Sequence, residues 1–165
     1  MKTKLLILIF LVLVTPVVNA QPLLTLDDIF VNGTYNLKRF GPIRWMEGGR
    51  FYTTIEYSSA ADHNEIIRYE TVTGSREVLV SARDLTPTGA AKPLQIQDYI
   101  WSPGGDRLMI FTNTRRVWRH HTRGDYWLLD LKSRKLTQLG RIVEPATMMF
   151  AKFSPDGKRW PMSAC

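Results

Sequence analysis

Cysteine is almost missing from this chain of 165 residues: Cys165 is the single one, and it stands last. One thiol cannot close a disulfide within the chain. Histidine is scarce as well, with three. His63 stands alone, and His120 and His121 are neighbours, which an extended backbone points to opposite sides. These residues make no metal-ligand set, and no cofactor is expected. Acidic residues are outnumbered, 15 against 22 basic, for a net charge of +7. Long apolar runs are missing too, except for ten residues from Leu5 to Val14. That run is too short to span a bilayer comfortably.

The exception has the form of a leader. Lys2 and Lys4 precede the apolar run, and Val18-Asn19-Ala20 puts small residues where a signal peptidase reads. Residues 1–20 are therefore expected to be a signal peptide that engages the export machinery, with cleavage before Gln21. The protein is then exported, periplasmic or extracellular. A retained leader would make it membrane-associated instead. Cleavage would leave 20 basic against 15 acidic side chains.

The basic excess gathers in Arg115-Arg116-Val117-Trp118-Arg119-His120-His121-Thr122-Arg123. Such a knot invites a nucleic-acid reading. No groove-reading helix or RNA-binding signature accompanies it, and an exported protein rarely meets nucleic acid. No nucleic-acid partner is expected, and Arg115, Arg116 and Arg123 read as parts of a solvated loop.

The chain repeats itself. Trp101-Ser102-Pro103-Gly104-Gly105-Asp106-Arg107 returns 52 residues later as Phe153-Ser154-Pro155-Asp156-Gly157-Lys158-Arg159. A fainter copy, Trp45-Met46-Glu47-Gly48-Gly49-Arg50-Phe51, lies 56 residues upstream. Pro103 pre-sets one turn torsion, and the glycines permit a positive φ. Apolar runs follow, as in Leu108-Met109-Ile110-Phe111. Tyr126 to Leu131 then reads as a third strand and Leu136 to Leu139 as a last short one. Ile67 to Glu70 and Val78 to Val80 match them in the upstream unit. Four strands per unit, at a spacing somewhat above the roughly 40–50 residues of known blades, predict a β-propeller. The fold class is all-β, a partial propeller of about two and a half four-stranded blades over residues 40–165. Residues 21–39 form an N-terminal segment. In it Thr25-Leu26-Asp27-Asp28-Ile29-Phe30 reads as a short helix, with Thr25 as cap and the two acids at its positive start. Asn32-Gly33-Thr34 is a glycosylation sequon, relevant only in a eukaryotic secretory route.

Thr25 to Ile29, Trp45, Tyr99-Ile100-Trp101-Ser102-Pro103, Trp118-Arg119-His120, Tyr126 to Asp130 and Phe153 to Lys158 come in an order that resembles the amino-terminal part of the dipeptidyl peptidase IV family. The likeness runs from about Thr25 to Arg159. The Ser-Pro-Asp-Gly element is common among propellers; Trp-Arg-His at this distance behind a Trp-Ser-Pro turn is far more specific. The resemblance implies an eight-bladed propeller joined to an α/β-hydrolase domain. It also implies a serine-type exopeptidase that removes N-terminal dipeptides ending in proline or alanine. Arg119 takes the position that contacts the carbonyl oxygen of the substrate's first residue. Peptide substrate is the implied partner of the whole protein, and a homodimer its implied assembly.

The chain lacks other parts of that pattern. It has no Glu-Glu pair to fix a substrate amine and no Gly-x-Ser-x-Gly elbow. No catalytic residue is assigned, and the chain alone is expected to be inactive. After Arg159 the repeat demands an apolar strand, but the chain reads Trp160-Pro161-Met162-Ser163-Ala164-Cys165. Pro161 removes a ladder donor where that strand should begin. A truncated or frame-shifted reading of a longer gene is the expectation, and an open arc of blades is expected to be poorly soluble or oligomeric. The other readings are a non-enzymatic exported propeller serving as a binding module, and an envelope protein anchored by its leader.

Overall fold

A computed structural model describes residues 24–35, 41–161 and 163–164 of the chain. The leader expected over residues 1–20, and Cys165, lie outside the described residues. The chain divides into two compact units, Met1–Arg39 and Phe40–Cys165. In the first, helix α1 (Leu26–Phe30) forms where the sequence places it. The Thr25 hydroxyl accepts from the Asp28 amide at 3.1 Å and donates to the Asp28 carboxylate at 2.5 Å. That bond, with one from Asn32, holds the Asp28 carboxyl below the usual carboxylate range.

The second unit is built from antiparallel strands. Strands β1 (Arg44–Met46), β2 (Phe51–Ser58), β3 (His63–Glu70) and β4 (Arg76–Val80) pair in chain order as one four-stranded blade. Strands β5 (Asp98–Trp101), β6 (Arg107–Val117), β7 (His120–Asp130) and β8 (Lys135–Gln138) pair in the same order as a second. β9 (Met148–Met149) and β10 (Ser163–Ala164) form the opening hairpin of a third unit. A single pair, Gly124 with Met148, ties that hairpin to β7. The architecture is the expected all-β partial propeller.

The sequence repeat is also a repeat of hydrogen bonds. In the second blade the Ser102 amide donates to the Arg107 carbonyl at 2.9 Å, and the Arg107 amide donates to the Ser102 hydroxyl at 3.0 Å. Fifty-two residues on, the Ser154 amide donates to the Arg159 carbonyl at 2.8 Å, and the Arg159 amide to the Ser154 hydroxyl at 2.9 Å. Gly105 and Gly157 take φ of 69° and 67°, a torsion that disfavours any Cβ. The turns also nest: a Cβ on Gly105 would lie 3.6 Å from Met46, and one on Gly157 3.4 Å from Pro103.

The third hairpin has no strand at residues 159–161, and β10 starts only beyond Pro161. The Pro161 carbonyl accepts from the Lys152 amide at 3.4 Å, at the register that Ile100 and Met109 hold one unit earlier. Proline costs the ladder one donor and leaves its acceptor in use. Strand pairing is found beyond Pro161, where Ser163 pairs with Met149 and Ala164 with Met148.

The core lies between blades. Ile66, Val80, Leu85 and Ile96 pack with Tyr99, Leu108, Ile110 and Leu129. Met109, Tyr126, Leu139, Met148 and Ala151 form a second cluster toward the third unit. Successive β6 side chains thus point into different cores. A strand buried on both faces reads as a continuous apolar run, and Leu108 to Phe111 does. Polar bonds fix the register of the first two blades. The Thr53 hydroxyl accepts from Tyr99 Oη and Trp101 Nε1, both at 2.9 Å, and donates to the Arg44 carbonyl at 3.3 Å. One donor and two lone pairs are thereby used. Arg44 reaches across to the Asp98 carboxylate at 2.6 Å and the Tyr99 carbonyl at 3.0 Å.

Candidate functional site

The site is an arm. From Arg107↔Asp130 to Thr112↔Asp125 the pairing of β6 with β7 is regular. Then Asn113 and Thr114 oppose Gly124 alone, and the next pair is Arg115↔Arg123. Thr122 is then left over on β7 before Arg116↔His121 and Val117↔His120 close the arm. An extra residue on one strand, followed by one on the other, bends and twists a ladder. The expected loop over Arg115–Arg123 is therefore corrected to a paired, twice-bulged hairpin. β7 begins at His120, six residues before the expected third strand.

Gly124 makes the bend fit. A Cβ there would lie 2.5 Å from Phe111 Cε2 and 2.7 Å from the Thr112 carbonyl oxygen. Asn113, opposite, takes φ 46° and donates through Nδ2 to Asp125 at 2.7 Å. The Asp125 carboxylate also accepts from the Ala146 amide at 2.8 Å. The base of the arm is thereby fixed to the loop that leads into β9.

Trp118 and Arg119 are the two residues of the turn. Trp118 takes φ 59°, rare for a bulky side chain, and the residue is 94% exposed. Strained torsions of this kind persist where the surrounding structure imposes them, and they gather at binding sites. Arg119 is exposed beside it and makes no ion pair among the described residues. A guanidinium so held is a fork of donors without an acceptor.

The histidines have ordinary roles. His63 Nε2 lies 2.8 Å from the Leu94 carbonyl, which ties blade one to the loop before β5. His121 Nδ1 lies 2.7 Å from the Thr114 hydroxyl, within the arm. His120 pairs opposite Val117. Among the described residues no group of three His, Cys, Asp or Glu could hold a metal ion. No helix among them is long and apolar enough to cross a membrane.

Two clefts flank the arm's base. One, of about 220 Å³, is largely apolar, with Ile100, Met109, Phe111, Tyr126, Phe150 and His121 in its wall. The other, of about 540 Å³, is polar and runs between the first two blades past Tyr57, Asn64, Gln97 and Asn113. Neither was visible in the sequence, because residues far apart in the chain line both.

Comparison with known proteins bears on this arm directly. Residues 102–160 match the family described as the dipeptidyl peptidase IV N-terminal region, and that segment contains the whole arm. Over that segment the chain is similar to the N-terminal region of the dipeptidyl peptidase IV family. It is 26% identical over 141 residues to human prolyl endopeptidase FAP, covering 86% of this chain and 16% of that protein. The crystal structure of Porphyromonas gingivalis dipeptidyl peptidase 4 superposes with a TM-score of 0.65 at 25% identity. That match covers 87% of this chain and 19% of the other. The chain thus spans less than a fifth of either relative.

Proposed function

We propose that this propeller portion serves an exported serine-type dipeptidyl peptidase, and that its arm anchors the peptide substrate through Arg119. The reaction is the release of N-terminal Xaa-Pro or Xaa-Ala dipeptides. The observation that carries the reading is the placement of Arg119 at the exposed tip of a bulged arm inside the family-matched segment. The guanidinium N–H groups donate to the carbonyl oxygen of the substrate's first residue. Hydrogen bonds from a charged donor are worth about 1.5–3 kcal/mol, enough to set the register of a peptide but not to cleave it. The nucleophile, its base and the groups that hold the substrate amine belong to other parts of such an enzyme. In this reading the leader directs export, and the mature chain starts at Gln21.

The test is Arg119→Ala in the polypeptide that joins this propeller to its hydrolase domain. The Michaelis constant for dipeptide substrates should rise about tenfold or more, while the melting temperature stays put. An unchanged constant removes Arg119 from the site. Mass spectrometry of the exported protein checks the leader, and an intact Met1 would refute cleavage.

A further inference from the structure

Two arginines face each other on the arm with no acid between them. Arg115 and Arg123 are cross-strand partners, and their pair stands alone between the two register shifts. Like charges placed directly opposite repel, so this arrangement costs the arm stability. Bulges re-aim side chains, and here one lies on each side of the pair. Among the described residues neither arginine makes an ion pair, and Arg123 Nε is buried without a hydrogen-bond partner. Asp125, close by in the chain, is already engaged by Asn113 and the Ala146 amide. Residues 113–124 include no aspartate or glutamate. A buried donor without an acceptor is expensive, and guanidinium forks match carboxylate geometry.

We infer that Arg115 and Arg123 form a carboxylate clamp that selects peptides carrying an acidic side chain. The inference rests on the reading of Arg119 as the peptide anchor. Arg123 lies four residues beyond Arg119, which sits in the turn before β7, so their separation is at most about 14 Å at the rise of a strand. An extended peptide covers that distance in about four residues. With the carbonyl of its first residue at Arg119, the acidic side chain sits at its fourth or fifth. Free phosphate presents similar oxygens, and so does a nucleic-acid backbone, so both belong in the experiment.

The experiment measures fluorescence anisotropy of labelled hexapeptides on the full chain. One glutamate is moved along a parent that carries glutamine at the same positions. Glutamate at the fourth or fifth position should tighten binding about tenfold at low ionic strength, and the gain should shrink as salt is added. Arg115→Gln and Arg123→Gln should each abolish the gain while the glutamine parent binds as before. Should either variant fail to fold, Arg115→Lys and Arg123→Lys keep the charge, lose the fork and should lower the gain. Arg119→Ala should weaken every peptide alike and leave the glutamate-to-glutamine ratio intact. If Arg119→Ala weakens none, the anchor reading falls while the clamp stands. Equal affinities along the series, or a gain that survives in both glutamine variants, overturns the clamp. So does competition by inorganic phosphate that is equal for glutamate and glutamine peptides, or tighter binding of a single-stranded oligonucleotide than of any peptide.

Discussion

The β2–β3 and β6–β7 hairpins occupy equivalent places in successive blades and do different things. In the first, eight consecutive pairs run from Phe51↔Glu70 to Ser58↔His63, and residues 59–62 close the turn. In the second, the equivalent interval holds residues 115–122, and the ladder is broken twice before it closes. The first hairpin tip, Ser59-Ala60-Ala61-Asp62, is built of small residues and is tied down by a Tyr57–Asp62 hydrogen bond. The second ends in a strained, exposed tryptophan and an arginine with no ion pair among the described residues. The repeat builds the scaffold, and the proposed peptide anchor stands where one copy departs from it. Loops on a rigid framework commonly carry function for this reason.

The comparison breaks most severely if the shared scaffold is removed. Leu129 of β7 is fully buried in the cluster between the first two blades. Leu129→Ala should cost about 2–5 kcal/mol, through lost transfer energy and the cavity left behind. Chemical denaturation followed by far-ultraviolet circular dichroism reads this. A loss below about 1 kcal/mol would show that the two blades do not share that core as described.

A smaller change should separate the arm from the scaffold. Gly124 corresponds to Asn64 in the first blade, where a side chain is tolerated. At Gly124 a Cβ would press on Phe111 and the Thr112 carbonyl. Gly124→Ala should cost about 1–3 kcal/mol by overpacking, and hydrogen exchange should quicken in 113–124 more than in β5. Uniform exchange across both would mean that the bend does not depend on the glycine.

The sequence disclosed the scaffold well and the arm poorly, for physical reasons. Turn chemistry is local: Pro103 with Gly105, and Pro155 with Gly157, write the same reversal twice, and both copies fold alike. The apolar run from Leu108 to Phe111 announces a strand buried on both faces. Bulges leave no such local mark. Arg115 to Arg123 is polar, and polarity alone reads as loop; that Arg115 faces Arg123 follows from a register set by Gly124 and Asn113. The one available signal was that glycine, inside a segment otherwise suited to a strand.

The seam between the two regions gives the smallest effect and a test with a definite sign. Tyr99 is fully buried, and its hydroxyl donates to Thr53 of the first blade. Burial pushes the Tyr99 hydroxyl up to about 12 from its ordinary value of 10.0. At neutral pH Tyr99→Phe should cost about 1 kcal/mol, the worth of one hydrogen bond. Above pH 10 the sign turns. An unfolded chain ionises this tyrosine near its ordinary value, whereas the folded chain resists until about pH 12. Native stability from the neutral phenol is whole below pH 10 and drains away as pH rises toward 12. The parent should therefore lose up to about 2–3 kcal/mol relative to Tyr99→Phe across that window, and the two stability curves should converge or cross. Parallel curves from pH 7 to 12 would mean that water reaches the hydroxyl. The two blades would then meet more loosely than the bonds at Thr53 require.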